Sequence, residues 1–381
     1  MIVLDRVPRI TQAPDAIAEL GRIAAAGLPA GSGVMLVADP GLRPSGAIER
    51  CAGAIRAAGL GLVVVDEIKS DPSIAQVDSA AELARSEGVL AVVALGGGSA
   101  MDVGKAVAAI APAPQGAEHY ALAANPLPPA PLRKICIPTT AGTGSETTRT
   151  AVLVDRAGVK IWLWGDTMKA DEVILDPTLT VGLPAHLTAA TGIDALVHAI
   201  EASTNVNSFP ANDMYCHQAV RLVLAHLPRA VEAPDDLAAR GAMQLAAALA
   251  GIGIDNAGTA IAHNIGHALA SLRSVHHGRA VGLAMLATLP WNVGADDGRF
   301  AAVARAMGES GAAALPAAFE RLLRRVGVKI SLAGEGNDEI DAETLAHQMA
   351  RPENASMRKS NKRTVADEDL IVFARILLSQ A

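Results

Sequence analysis

The sequence predicts two domains of different class: an α/β domain on a parallel sheet over residues 1–182, and an all-helical domain over residues 183–381. Three observations predict it. Short apolar runs alternate with helical patterns through the first half, the signature of βαβ units. That alternation stops after Pro184, beyond which Ala- and Leu-rich helical patterns continue with no convincing strand. The length, 381 residues, suffices for two domains of ordinary size.

The elements follow in order. GVMLVAD (33–39) reads as a buried strand, and AIERCAGAIRAAG (47–59) as a helix ending at Gly59. GLVVVDEI (61–68) is a second strand, and DSAAELARSEG (78–88) a helix stopped by Gly88. VLAVVAL (89–95) is a third buried strand, followed by glycines and a helix through Ile110. Residues 111–132 are rich in Pro and Ala and read as an irregular connection, with a further strand at KICIPTT (134–140). AVLVDRAGVKIWLW (151–164) reads as a hairpin turned at Asp155–Gly158, and EVILDP (172–177) as a strand stopped by Pro177.

Composition excludes several function classes. Hydrophobic residues make up 51% and aromatics only 2%, so the core must be built from Ala, Val, Leu and Ile. The net charge of -7 argues against a general nucleic-acid binder, and the one basic run, RKSNKR (358–363), reads as solvated surface. Three cysteines, Cys51, Cys136 and Cys216, form no CxxC pair, which argues against a disulfide framework and fits a reducing cytoplasm. MIVLDRVPRI lacks the pattern of a signal peptide, and the Ala-rich stretches meet polar residues before reaching membrane-spanning length. A cytoplasmic protein with no membrane partner is the expectation.

Two loops in the first half are suited to a ligand. In LGGGSAMDVGKA (95–106), glycines follow a strand and open a helix, so the backbone can approach an anion at the helix N-terminus. Ser99 can cap that helix or donate to a phosphate oxygen. The order strand–glycines–helix favours a pyrophosphate site over a plain turn, although GxGxxG is absent. Asp39, at the end of the first strong strand, can accept from a ribose hydroxyl and would repel a 2′-phosphate, favouring NAD over NADP. A turn-forming Asp before Pro40 is the other reading of that residue. PTTAGTGSE (138–146) offers hydroxyls with little bulk, suited to a nucleotide or an amide, or to a polar turn.

The helical half carries Asp194 and His198 in TGIDALVHAIEA, four residues apart and so on one helix face. Ile193, Leu196, Val197 and Ile200 surround them, and a buried Asp and His need partners. His263 and His267 repeat the spacing, and His276 and His277 precede Gly278. Asp194, His198, His263 and His277 would complete a four-ligand cage for a divalent metal. By spacing alone, satisfied core histidines remain the alternative.

GGGSAMDVGK, PTTAGTGSE, ILDPTLTVGLP, ATGIDALVHAIEA and HNIGHALASLRSVHHGRAVG together resemble the iron-containing alcohol dehydrogenase family, similar in fold to glycerol dehydrogenases and dehydroquinate synthases. The resemblance implies a dinucleotide-binding α/β domain and a helical metal-binding domain. It implies that Asp194, His198, His263 and His277 bind Fe²⁺, with Zn²⁺ a possible replacement. His267 matches a histidine proposed to handle protons near the nicotinamide. Asp39, Gly97, Gly98, Ser99, Asp102, Thr139, Thr140, Thr143 and Lys160 match cofactor contacts, although Asp102 can instead steady the glycine loop. Asp71 stands where the family often has Asn before Pro, and the chain diverges after residue 295. The implied reaction is reversible hydride transfer between a small alcohol or aldehyde and NAD, in a homodimer. Same-fold alternatives are a dehydroquinate synthase-like lyase, which needs a basic pocket where only Arg273 and Arg279 are near, and a maleylacetate reductase. A non-enzymatic alternative is a binding protein with structural histidines.

Overall fold

The computed structural model of the protein describes residues 2–332 and 340–379. It divides into two compact units. One runs from Arg6 to Gly182; the other begins at Leu183 and also gathers the N-terminal residues up to Asp5.

In the first unit the strands are β1 (Arg9–Gln12), β2 (Gly33–Ala38), β3 (Gly61–Val65), β4 (Val89–Gly96), β5 (Arg133–Pro138), β6 (Thr150–Val154), β7 (Lys160–Trp164) and β8 (Glu172–Leu175). Its helices are α1 (Leu20–Ala25), α2 (Ala47–Ala57), α3 (Ile74–Ser86), α4 (Gly98–Ile110) and α5 (Ala117–Tyr120). Six strands form a sheet in the order β1-β8-β5-β4-β2-β3, every adjacent pair parallel. Strands covered on both faces read as continuous apolar runs, which is why β2 and β4 are legible in the sequence. Met35, Val37 and Val92 pack on one face with Val77 of α3 and Val103 and Val107 of α4. Val34, Leu36 and Val93 pack on the other with Leu20 of α1 and Ile48 and Ile55 of α2. The period-2 alternation of strand side chains thus feeds two cores. Gly104 lets α4 sit close on the sheet, since a Cβ there would meet the Ala94 Cβ at 2.6 Å.

In this unit β1, α1 and the short α5 have no counterpart among the sequence expectations, and α3 differs from its expected start. The strand β1 carries one large apolar residue and owes its place to pairing with β8. The α3 helix starts at Ile74 rather than 78, because Ser73 and Gln76 form a reciprocal capping box. The expected hairpin is present as β6 and β7, paired antiparallel, with Asp155 accepting from the Ala157 and Val159 amides at the turn.

The second unit is helical. Among its described residues there is no strand. Its helices are α6 (Ala185–Thr204), α7 (Pro210–Glu232), α8 (Leu237–Ala257), α9 (Ile261–Leu272), α10 (His277–Val293), α11 (Arg299–Ala306), α12 (Leu315–Arg325), α13 (Ala342–Met349), α14 (Ala355–Ser360) and α15 (Asp367–Ser379). The α6 helix is apolar nearly all round and packs against α7, α8 and α10, as a central helix must. By length and apolarity α8 could cross a membrane, contrary to the expectation that no Ala-rich stretch reaches that length. Two thirds of its most apolar stretch is buried, and the helix packs against α6 and α7.

Candidate functional site

Asp194, His198 and Glu201 project from α6 at positions i, i+4 and i+7, along one face. His263 and His267 lie one turn apart on α9, and His277 opens α10. Glycines bring these helices together. A Cβ at Gly278 would meet the Ala190 carbonyl oxygen at 2.2 Å and the Asp194 Cβ at 3.1 Å, so α10 crosses α6 backbone to backbone beside His277. A Cβ at Gly266 would meet Val281 Cγ1 at 2.5 Å and the Val281 Cα at 3.1 Å, so α9 and α10 also pack closely.

Three imidazoles converge on one carboxylate oxygen. Asp194 Oδ1 lies 3.9 Å from His198 Nε2, 3.7 Å from His263 Nε2 and 3.6 Å from His277 Nε2. The donor atoms of Asp194, His263 and His277 all lie within 4.8 Å of one another, and His198 joins through its approach to Asp194. The His198 and His263 rings stack with centroids 4.4 Å apart. His267 stands beside the group, its ring centroid 5.1 Å from that of His277 and 6.2 Å from that of His263.

These separations exceed a hydrogen bond. Asp194 Oδ1 and His263 Nε2 are buried and make none. Two ligands each about 2.1 Å from a tetrahedral ion lie roughly 3.4 Å apart, close to what is observed. One oxygen and three nitrogens suit a divalent transition metal. The donor set therefore fits a metal.

Electrostatics agree with that geometry. Burial alone would raise the Asp194 carboxyl, yet His198 and His277 beside it hold it well below the ordinary range. Burial alone would lower the His263 imidazole, but Glu201 and then Asp194 push it up to about 9. Glu201 is absent from the sequence expectations. It is 3% exposed; its Oε2 lies 2.6 Å from His263 Nδ1. The same carboxylate accepts from the Ala260 amide at 2.8 Å and the Ala262 amide at 2.6 Å. Those are orphan amides of α9, whose N-cap, Ala260, has no capping side chain. One side chain thus caps the helix and aims its histidine.

In the first unit, three expected loops meet at the carboxyl ends of β2, β4 and β5. The chain winds outward from β2 to β3, then crosses back to β4, so the switch point of the sheet lies between β2 and β4. Open α/β sheets bind ligands in that crevice. Asp39 follows β2, and Gly96 to Gly98 follow β4. A Cβ at Gly96 would meet the Asp39 Cβ at 3.0 Å, and one at Gly98 would meet Thr143 Cγ2 at 2.9 Å. Gly97 faces Thr140, and the Thr139 amide bonds the Gly96 carbonyl.

Several of these side chains are already engaged. Gly97 is the N-cap of α4 without a side-chain cap, so Ser99, inside the first turn, does not cap the helix. Asp39 Oδ1 accepts from the Gly41 amide at 2.8 Å, which is the turn-forming reading of that residue. Asp102 accepts from Ser145 Oγ at 2.5 Å and from the Val152 amide at 3.0 Å, and thereby braces the hydroxyl-rich loop and β6. Lys105, fully buried, donates to the carbonyls of Ser145 and Thr150 at 2.7 and 2.6 Å. Lys160 Nζ pairs with Asp71 Oδ1 at 2.8 Å, and Asp71 holds a left-handed φ of 52°. The cysteines are all free and buried, with burial pushing the thiols of Cys51 and Cys136 up to about 12.

Residues 8–177 match the iron-containing alcohol dehydrogenase family, and residues 188–375 match the C-terminal family of Fe-containing alcohol dehydrogenases. The chain belongs to the iron-containing alcohol dehydrogenase family. It is an oxidoreductase of that family. The chain is 35% identical over 321 residues to the NAD-dependent methanol dehydrogenase of Bacillus methanolicus, covering 82% of this chain and 84% of that one. It is 34% identical over 353 residues to the 1,3-propanediol dehydrogenase of Citrobacter freundii, covering 88% and 90%. The crystal structure of the sulfoacetaldehyde reductase of Bifidobacterium kashiwanohense in complex with NAD⁺ superposes with a TM-score of 0.91 at 30% identity, over 100% of this chain and 99% of that one.

Proposed function

We propose that this iron-containing alcohol dehydrogenase uses NAD and Fe²⁺ to interconvert a small alcohol and its aldehyde. The convergence of three imidazole nitrogens on a buried Asp194 oxygen, beyond hydrogen-bond range, carries the reading. Asp194, His198, His263 and His277 would hold the metal. Bound Fe²⁺ supplies a Lewis acid for the alcohol or aldehyde oxygen, and NAD supplies the hydride carrier. Zn²⁺ would compete for the same donors by the usual affinity order.

The remaining steps belong to the chain. Gly97, Gly98 and the Ser99 hydroxyl would receive a pyrophosphate at the start of α4, where amides and helix dipole favour an anion. Asp39 would accept from the adenosine ribose and disfavour NADP. Thr139, Thr140, Thr143 and Lys160 would line the rest of the cofactor site, and Asp102 would act by holding the loop that carries Thr143. His267 would pass the substrate proton toward solvent. The protein would work in the cytoplasm as a homodimer. The named relatives act on methanol, 1,3-propanediol and sulfoacetaldehyde, so they support an alcohol or aldehyde without choosing one.

Anaerobic reconstitution with Fe²⁺, metal analysis and NADH oxidation with an aldehyde panel test the reading. His263→Ala is expected to lose both metal and turnover while NADH fluorescence titration stays unchanged. Full activity without bound metal would overturn it.

A further inference from the structure

The α9 and α10 helices are joined by a short link, Arg273 to His276, which follows Leu272 and leads directly into His277. Arg273 follows His267 by six residues and precedes His277 by four, a span of at most about 14 Å. Its Nη2 is enclosed, yet it has no hydrogen-bond acceptor. A guanidinium is charged at every physiological pH, and burying one of its donors unpaired is costly.

Its neighbours along the chain offer no carboxylate to answer it. From Asn256 to Ala295 the sequence contains no Asp or Glu, while the same stretch carries Arg273, Arg279 and four histidines. Two carboxylates reach the cluster, both from α6, and both face histidines: Asp194 faces three, and Glu201 holds His263. Arg279 is committed elsewhere, donating to the Lys329 and Ser331 carbonyls at 2.9 and 2.6 Å. Among the described residues, Arg273, on the link that leads to His277, is the one arginine or lysine with an enclosed nitrogen and no acceptor for it.

We propose that Arg273 receives the anionic head group of the substrate, so that the enzyme acts on a short aldehyde or alcohol bearing a carboxylate, sulfonate or phosphonate. The proposal rests on the dehydrogenase reading and adds the substrate class. A planar fork of donors suits such a group, bidentately for a carboxylate.

Two measurements on the Fe²⁺-reconstituted enzyme test it. The first is steady-state NADH oxidation with butanal and with 4-oxobutanoate, which differ by the charged end. The wild type is expected to prefer the oxo acid in kcat/KM, and Arg273→Gln to lower that preference roughly 10- to 100-fold, mainly through KM, as for a lost charged hydrogen bond. Arg273→Lys should recover part of it. Sulfonate- and phosphonate-bearing aldehydes in the same panel rank the head groups. The second is calorimetric titration with succinate, whose binding should be present in the wild type and lost in Arg273→Gln. An unchanged preference, or succinate binding that survives the substitution, overturns the proposal. Turnover of butanal without preference for the oxo acid also overturns it, and leaves the dehydrogenase reading standing. Succinate binding through Arg273 with neither aldehyde reduced supports the anion site and overturns the dehydrogenase reading.

Discussion

Glu201 Oε2 lies 2.6 Å from His263 Nδ1, and the same carboxylate accepts two amides at the start of α9. A ring nitrogen held this way fixes the tautomer and points Nε2 at Asp194. Glu201→Gln should therefore weaken metal binding about 10- to 100-fold, as outer partners of metal-bound histidines do. Competition with a chromophoric chelator reads this directly, and the change should appear in metal affinity before it appears in the kcat of fully loaded enzyme. Unchanged affinity would show that α9 alone orients the imidazole.

Gly278 bears on the same centre through the backbone. Its missing Cβ leaves room for the Ala190 carbonyl, which a methyl would approach to 2.2 Å. No rotamer change relieves a clash with main chain, so Gly278→Ala must push α10 from α6. An overpacking cost of about 1–3 kcal/mol is expected, with a lowered Tm and weaker metal uptake because His277 moves with the helix. A variant with wild-type Tm and metal content would contradict this packing.

Cofactor choice is tested at Asp39. Its carboxylate, at the end of β2, should disfavour a 2′-phosphate by charge. Asp39→Gly removes that charge along with the bond to the Gly41 amide. The ratio of kcat/KM for NADH over NADPH should fall by about tenfold or more, on the scale of one like-charge contact. If the ratio does not move, selection against NADPH lies elsewhere.

Glu146 predicts a pH dependence of stability. Burial pushes its carboxyl from 4.5 up to about 7, with its own backbone amide and Lys105 only partly opposing. Below pH 4.5 folded and unfolded chains both hold the proton, and this contribution is fully present. Between the two values only the folded chain holds it, so stability falls as pH rises. Above about 7 both have lost it, and the ionised buried group costs about 3 kcal/mol. Glu146→Gln should therefore gain on the wild type in urea denaturation between pH 5 and pH 8, with little difference at the acid end. A difference independent of pH would contradict it.

Much of the fold was legible because its strands are buried on both faces. VMLV and VLAVVAL are apolar runs that solvent-facing strands do not show. RITQ, which forms β1, has no such pattern and becomes a strand only by pairing with β8. The candidate site was legible where spacing on one helix carries the information, as for Asp194 with His198 and His263 with His267. Glu201 reads in sequence as an ordinary helical glutamate, because its partners lie on a helix some sixty residues further on. Lys105 was hidden in the same way, since the carbonyls it serves belong to a loop that only the fold brings near.

The bonds of Asp102 to Ser145 and Val152 tie the helix after the glycines to the hydroxyl-rich loop and to the hairpin that carries Lys160. Three walls of the crevice are thereby one frame, ordered when this unit folds. A nucleotide bound there, as proposed, would meet groups whose conformational entropy has already been spent, so little of its contact energy would go into arranging them.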